Sequence, residues 1–141
     1  MFDCRSLGLL INTFAFDSSE HNVIELTAKS FKKQVLESEH NWIIQFYSPW
    51  CKHCVNFIPE YKNAAKALKG ITKVGAVDMS KYQSVGAPYS IQGVPTIMIF
   101  GNDKKKPIEF NGARTSESLV IAALEKDSSQ IEKKHFSPIF A

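Results

Sequence analysis

Two cysteines separated by two residues, in Trp50-Cys51-Lys52-His53-Cys54, carry the clearest chemistry in this sequence. A thiolate can attack a disulfide sulfur, and a second thiol close by can then displace it, so the pair suits thiol–disulfide exchange. It lies between a hydrophobic run, Trp42-Ile43-Ile44-Gln45-Phe46-Tyr47, and a segment with helical spacing. A cysteine at the first turn of a helix meets unpaired backbone N–H groups and the positive end of the helix dipole, which favour its thiolate. Lys52 and His53 add local donors or positive charge. Cys51 is therefore the expected attacking sulfur. Cys54, one turn deeper, is the expected resolving sulfur, more buried and harder to deprotonate.

Other uses of a cysteine pair fit less well. A structural zinc needs about four ligands, and one such pair supplies two. His21, His40 and His135 are scattered, with no second ligand pair. Covalent haem attachment needs histidine directly after the second cysteine, where this chain has Val55. No metal and no cofactor is expected.

The elements that must position the pair can be read from the apolar pattern. Val23-Ile24-Glu25-Leu26 suggests a short strand, and Thr27 can cap a helix through Glu37 with Phe31 and Val35 inward. Residues 42–48 are the best strand candidate, apolar enough to be covered on both faces. A helix over residues 51–69 carries Ile58, Tyr61, Ala65 and Leu68 as one stripe, with Pro59 inside as a kink and Gly70 as a left-handed cap. A strand over residues 73–77 ends at Asp78, and a weak helix over 80–89 contains Gly86 and Pro88. Strands at 96–100 and near 108–110 flank a polar turn, and a last helix spans about 116–125 with Leu119, Ala123 and Leu124 inward. Alternating strands and helices, followed by a hairpin and a closing helix, argue for an α/β fold: a central mixed sheet flanked by helices on both faces.

Composition sets the bounds. With 141 residues, 44% hydrophobic and 22% charged, the chain can build one domain with a sizeable core. The net charge is only +3, and Lys104-Lys105-Lys106 is the single basic run, read as a solvated turn; no nucleic-acid partner is expected. No stretch reaches the roughly 18–20 apolar residues of a membrane span, so the mature chain is expected to have none. Arg5 precedes Leu7-Gly8-Leu9-Leu10-Ile11, so residues 1–17 read as a signal peptide with Thr13-Phe14-Ala15 as the cleavage site, despite Asp3 and Asn12. The alternative is an ordinary N-terminus. Cleavage would remove the odd cysteine, Cys4, and leave only the pair. A domain over 21–126 and a flexible tail over 127–141 complete the expected division.

Phe46-Tyr47-Ser48-Pro49-Trp50-Cys51-Lys52-His53-Cys54, with Gly93-Val94-Pro95-Thr96 downstream and the order of elements, resembles a thioredoxin fold of the protein disulfide isomerase family. Val74-Gly75-Ala76-Val77-Asp78, Ile99-Phe100-Gly101 and Gly112-Ala113-Arg114-Thr115 are similar to the first catalytic domain of members with two catalytic domains and one non-catalytic domain. The resemblance runs from about Val23 to Glu125. It implies a cis-proline at Pro95 beside the cysteines, with Trp50, Val94 and Pro95 as the substrate-binding positions. An extended substrate can then pair with the Val94 main chain. It also implies that Arg114 swings toward Cys54 and lowers its pKa. His53 implies an oxidising pair, nearer the isomerase potential of about −180 mV than the thioredoxin value of about −270 mV.

Two positions depart from the family pattern. Lys52 stands where glycine is usual, and either pushes the potential the same way or is a solvated side chain. Gln45 stands where a buried glutamate usually relays protons to the resolving sulfur. Glutamine can hydrogen-bond but cannot titrate, so slow release of mixed disulfides is expected. The function implied is formation, reduction or rearrangement of disulfides in unfolded or disulfide-containing secretory proteins, with glutathione or an upstream oxidase as redox partner. The alternative is a redox-weak chaperone or binding module for unfolded chains; a cytosolic thioredoxin-like reductant fits His53 less well. The endoplasmic reticulum lumen is the expected location. Phe136-Ser137-Pro138-Ile139-Phe140-Ala141 is no retrieval signal, so residence there would need a partner, and secretion is the alternative.

Overall fold

The hydrophobic run before the cysteines becomes the middle of the sheet. In the computed structural model, which describes residues 22–136 and the side chains of 22–129, Trp42–Tyr47 forms strand β2 and every residue in it is buried. The other strands are β1 (Val23–Leu26), β3 (Lys73–Asp78), β4 (Thr96–Phe100) and β5 (Ile108–Glu109). They lie in the order β1-β3-β2-β4-β5. β3 runs parallel to both β1 and β2, whereas β4 is antiparallel to β2 and β5. This is the expected mixed sheet. The leader expected over residues 1–17, with Cys4, lies outside the described residues, as do residues 137–141.

Alternation along the strands divides the core in two. Ile43, Tyr47, Val74, Ala76, Ile97 and Ile99 pack with helices α1 (Lys52–Ala67) and α3 (Ser116–Phe136), and Cys54 belongs to this layer. Leu26, Ile44, Phe46, Val77, Met98 and Phe100 pack on the opposite face. There Phe31 precedes the segment Lys32–Leu36 and Val35 lies within it, and Val85, Tyr89 and Ile91 come from the stretch that includes α2 (Gln83–Gly86). Helices therefore cover both faces. By the same alternation Gln45 lies on the Cys54 side.

Helix α1 forms as its pattern requires. Cys54, Phe57, Tyr61, Ala64 and Ala65 are buried along one stripe, and Leu68 closes it. Pro59 sits inside the helix on its exposed side, where its missing N–H removes one intrahelical bond. Gly70 adopts φ +82°, the left-handed conformation that ends a helix at low steric cost. The Tyr61 hydroxyl donates to the main-chain oxygen of Gly75 at 2.6 Å, with that of Ile43 at 3.2 Å, which pins the helix to β2 and β3.

Three expectations need correction. Leu124, expected on the inner face of the last helix, is exposed, while Leu119 and Ala123 are buried as expected. The helix expected over residues 27–37 is instead a turn followed by a π-helical segment, Lys32–Leu36, in which Glu37 N–H reaches Lys32 O at 3.0 Å. Thr27 does cap the preceding turn: its Oγ1 accepts from Ser30 N–H at 3.2 Å, and Ser30 Oγ accepts from Thr27 N–H at 2.9 Å. The last helix does not stop near Glu125 but continues to Phe136, so the part of the expected tail up to that residue is helical. Asp127 Oδ1 accepts from Asn41 Nδ2 at 3.1 Å, which fastens this extension to the residue before β2.

Candidate active site

The end of β2 delivers the chain straight into α1, and the two cysteines straddle that junction. Cys51 is the residue capping α1, in extended conformation, and its Sγ accepts a hydrogen bond from Cys54 N–H at 3.2 Å. A sulfur held at a helix start by a backbone donor has its negative form stabilised by the local dipoles. Its thiol also donates to Val94 O at 3.6 Å, and the Val94–Pro95 bond is cis, as the resemblance implied. Segments distant in sequence thus meet at one sulfur.

The second sulfur is placed differently. Both cysteines are free thiols, but Cys51 is half-buried and Cys54 fully buried. Burial pushes the Cys54 thiol up to about 12, and its hydrogen bond and charge interaction with Cys51 add to this. A backbone hydrogen bond from Ser48 and the Arg114 charge oppose the shift, Arg114 more weakly. The expected burial of Cys54 relative to Cys51 is therefore present in the geometry.

The remaining candidates fall into three environments. Trp50 is 79% exposed, and Lys52 and His53 are exposed on the first turn of α1. Arg114 is exposed too, and lines a small cleft with Pro95, Phe110 and Gly112. Its loop is tightly built. A side chain at Gly112 would come within 2.7 Å of the Phe110 ring, and Glu60 Oε2 accepts from Ser116 N–H at 2.7 Å, tying the loop end to α1. Gln45 is fully buried opposite Ala76 and Ile97, and neither its Oε1 nor its Nε2 has a hydrogen-bond partner. An unpaired buried amide costs stability, on the order of 1–3 kcal/mol for each unsatisfied group.

Sequence reasoning missed three contributors. Tyr47 is buried against the site, and burial, with Glu25, Asp78 and Cys54 nearby, raises its pKa. Its hydroxyl donates to Glu25 Oε1 at 3.4 Å. Ser48 acts through its main chain and Glu60 through a bond across elements, neither of which side-chain type announces. Tyr47 could have been noticed as a phenol in an otherwise apolar strand. Among the described residues no group of three or more His, Cys, Asp or Glu side chains could hold a metal ion, and no helix is long and apolar enough to cross a membrane.

Comparison with known proteins agrees with this arrangement. The thioredoxin family matches residues 22–125. The chain is 49% identical over 117 residues to the protein disulfide-isomerase A6 homolog of Caenorhabditis elegans, covering 83% of this chain and 27% of that protein. It is 48% identical over 123 residues to human protein disulfide-isomerase A6, covering 84% of this chain and 28% of that one. The chain therefore spans just over a quarter of the length of these relatives. Among solved structures, the Trx4 domain of ERdj5 superposes with a TM-score of 0.67 at 30% identity, covering 80% of this chain and 98% of that domain.

Proposed function

The chain belongs to the thioredoxin family, and from that premise we propose that it is a thiol–disulfide oxidoreductase and isomerase acting on protein substrates. The observation that carries the reading is Cys51 Sγ at the start of α1, held by Cys54 N–H and facing Val94 O. The Cys51 thiolate attacks one sulfur of a substrate disulfide, forming a mixed disulfide and releasing the other substrate sulfur as a thiolate, which takes up a proton. Cys54 then loses its proton and attacks Cys51 Sγ. This closes the Cys51–Cys54 disulfide and releases the second substrate thiol. The substrate gains two electrons and the pair loses two. The reverse sequence oxidises a dithiol, and release of the mixed disulfide to another substrate thiol rearranges bonds with no net redox change.

The surrounding side chains take roles within this scheme. Once Cys51 has lost its S–H proton, Val94 O no longer receives that donor and can accept a substrate backbone N–H, the strand-addition mode that tolerates many sequences. Trp50 offers an exposed apolar plane beside the sulfurs, and Pro95 borders the same site. Lys52 and His53 stand exposed on the first turn of α1 beside Cys51, and Arg114 eases deprotonation of Cys54. Glutathione or an upstream oxidase restores the pair to its starting state.

Disulfide exchange of this kind suits an oxidising compartment. The reading therefore includes a leader in residues 1–17, a working domain over 21–126, and residence in the endoplasmic reticulum lumen or secretion. The equilibrium of the pair against glutathione tests it together with insulin reduction. Equilibration near the isomerase range, about −180 mV, with activity lost in Cys51→Ser, supports the oxidoreductase.

One observation favours a second reading. Gln45 presents a buried amide with no partner and no titratable proton on the Cys54 side of the sheet. A redox-weak binding module for unfolded chains would tolerate that. Suppression of aggregation that persists in Cys51→Ser/Cys54→Ser, with negligible insulin reduction in the unsubstituted chain, would establish it in place of the first reading.

A further inference from the structure

The lysine run that reads as a solvated turn does more than face water. Lys104, Lys105 and Lys106 form one rim of an open groove of about 800 Å³. Leu36, Tyr89 and Met98 contribute apolar surface to it, and no carboxylate lines it. The apolar side is rigid: the Tyr89 ring meets Phe100 edge-on at 5.2 Å and also packs near Phe31 and Phe46. The groove lies on the sheet face opposite the cysteines, since Tyr89 and Met98 pack with the Phe46 layer and Cys54 with the other.

Its polar groups are held ready. Lys104 Nζ donates to His40 O, which anchors the loop to the segment before β2. The Lys104 ammonium is partly desolvated, which lowers its pKa, so an incoming anion would restore what burial removes. Asp103 is spent on the turn itself: its Oδ1 accepts from Lys105 N–H at 3.0 Å, and its main-chain oxygen from Lys106 N–H at 3.2 Å. The ammonium groups of Lys105 and Lys106 pair with no carboxylate among the described residues, and the Tyr89 hydroxyl has no hydrogen-bond partner there. Three cations and a phenol above an apolar floor complement carboxylates that flank an apolar side chain.

We propose that this groove is a docking site for an acidic peptide segment carrying an apolar anchor, presented by a client or partner chain. The anchor packs on Leu36, Tyr89 and Met98, and flanking Asp or Glu side chains pair with Lys105, Lys106 and the Tyr89 hydroxyl. The occupant is a peptide rather than a nucleic acid because the cations line one rim of an apolar trough instead of a broad basic face. A bound segment leaves the sulfurs free. Ser90 belongs both to this groove and to a second one of about 470 Å³ that extends to Val94, the residue facing Cys51. A docked chain can thus continue along the surface toward the redox pair.

The test uses the full chain and a fluorescein-labelled peptide, Glu-Asp-Glu-Leu-Phe-Glu-Asp-Glu, followed by fluorescence anisotropy. Lys105→Glu/Lys106→Glu should weaken binding at least about tenfold while insulin reduction stays unchanged, and added salt should weaken it in the parent protein. Replacing the peptide's Leu and Phe by Ser should weaken it comparably. Equal affinity of parent and variant for the peptide overturns the proposal. So does equal affinity for the Ser-substituted peptide, or preferential binding of duplex RNA or heparin. If the charge-reversed variant does not fold, Lys105→Met/Lys106→Met serves in its place, and amide shifts in the parent that map away from Leu36, Tyr89 and Met98 also overturn it.

Discussion

Cys51 and Cys54 belong to the same turn of one helix but live in different solvents. Cys51 caps α1, half-buried, with a backbone N–H donating to its sulfur and a carbonyl opposite. Cys54 is sealed into the α1/α3 layer beside Tyr47, and burial alone is the largest influence on its thiol, pushing it up to about 12. The first sulfur is held by a backbone donor at a helix start, whereas burial keeps the second a neutral thiol. Proximity is thus shared while readiness is not. On the proposed function, release of a trapped substrate depends on removing a proton from the protein interior.

The sharpest way to separate the halves is to delete each sulfur. Cys51→Ser should abolish insulin reduction, by about a thousandfold or more. Cys54→Ser should still capture a disulfide substrate and accumulate the mixed disulfide, seen as a reductant-sensitive adduct on gels. If both variants capture substrate equally, the assignment of attacking and resolving sulfurs fails.

The next effect is set by pH. Burial raises the Cys54 pKa, so its thiolate fraction near neutrality is very small and rises about tenfold for each pH unit below that pKa. The Cys51 contributions disappear once that sulfur is in a mixed disulfide, whereas burial remains. Decay of the trapped species in the parent protein should therefore accelerate by up to ~100-fold between pH 7 and pH 9. A flat profile would mean that deprotonation of Cys54 does not limit release.

Gln45→Glu should narrow the difference from the resolving side by placing a titratable group where a neutral, unpartnered amide now sits. Single-turnover decay at pH 7 should rise roughly tenfold, less than the about 100-fold at the low end for a well-positioned base. Equal decay rates for the two proteins would show that the position does not serve Cys54. Arg114→Gln is the mildest change. Its charge is the last of the influences on Cys54, so release should slow by about threefold while alkylation of Cys51 by iodoacetamide is unaltered.

How much of this could be read beforehand depended on whether a residue acts through its own side chain and an apolar repeat. Residues 42–47, the stripe Tyr61, Ala65 and Leu68, and Gly70 each announce themselves by pattern or by conformational need, and all took the expected places. The π-helical segment did not, because Lys32, Lys33 and Gln34 leave Phe31 and Val35 as its buried anchors, with Leu36 partly buried, and packing rather than periodicity sets the winding. The continuation of α3 past Glu125 carries no apolar repeat. It needs only propagation of backbone bonds, helped by good helix formers. In the site, the cysteines, Pro95 and the buried Gln45 were legible; Ser48 and Glu60 were not, since one acts through its main chain and the other through a bond between distant segments.

Trp50 and Trp42 are the only tryptophans of the chain, and their surroundings could hardly differ: 79% exposed beside the sulfurs, against 1% exposed under the sheet. The molecule thus carries two built-in optical reporters. Emission from the exposed indole should respond to whatever closes over Cys51, whereas the interior one, with Lys73 Nζ 5.6 Å from its ring centre, should respond only when the strands part. With Trp50→Phe as the reference spectrum, one cuvette distinguishes capture of a client from unfolding of its captor.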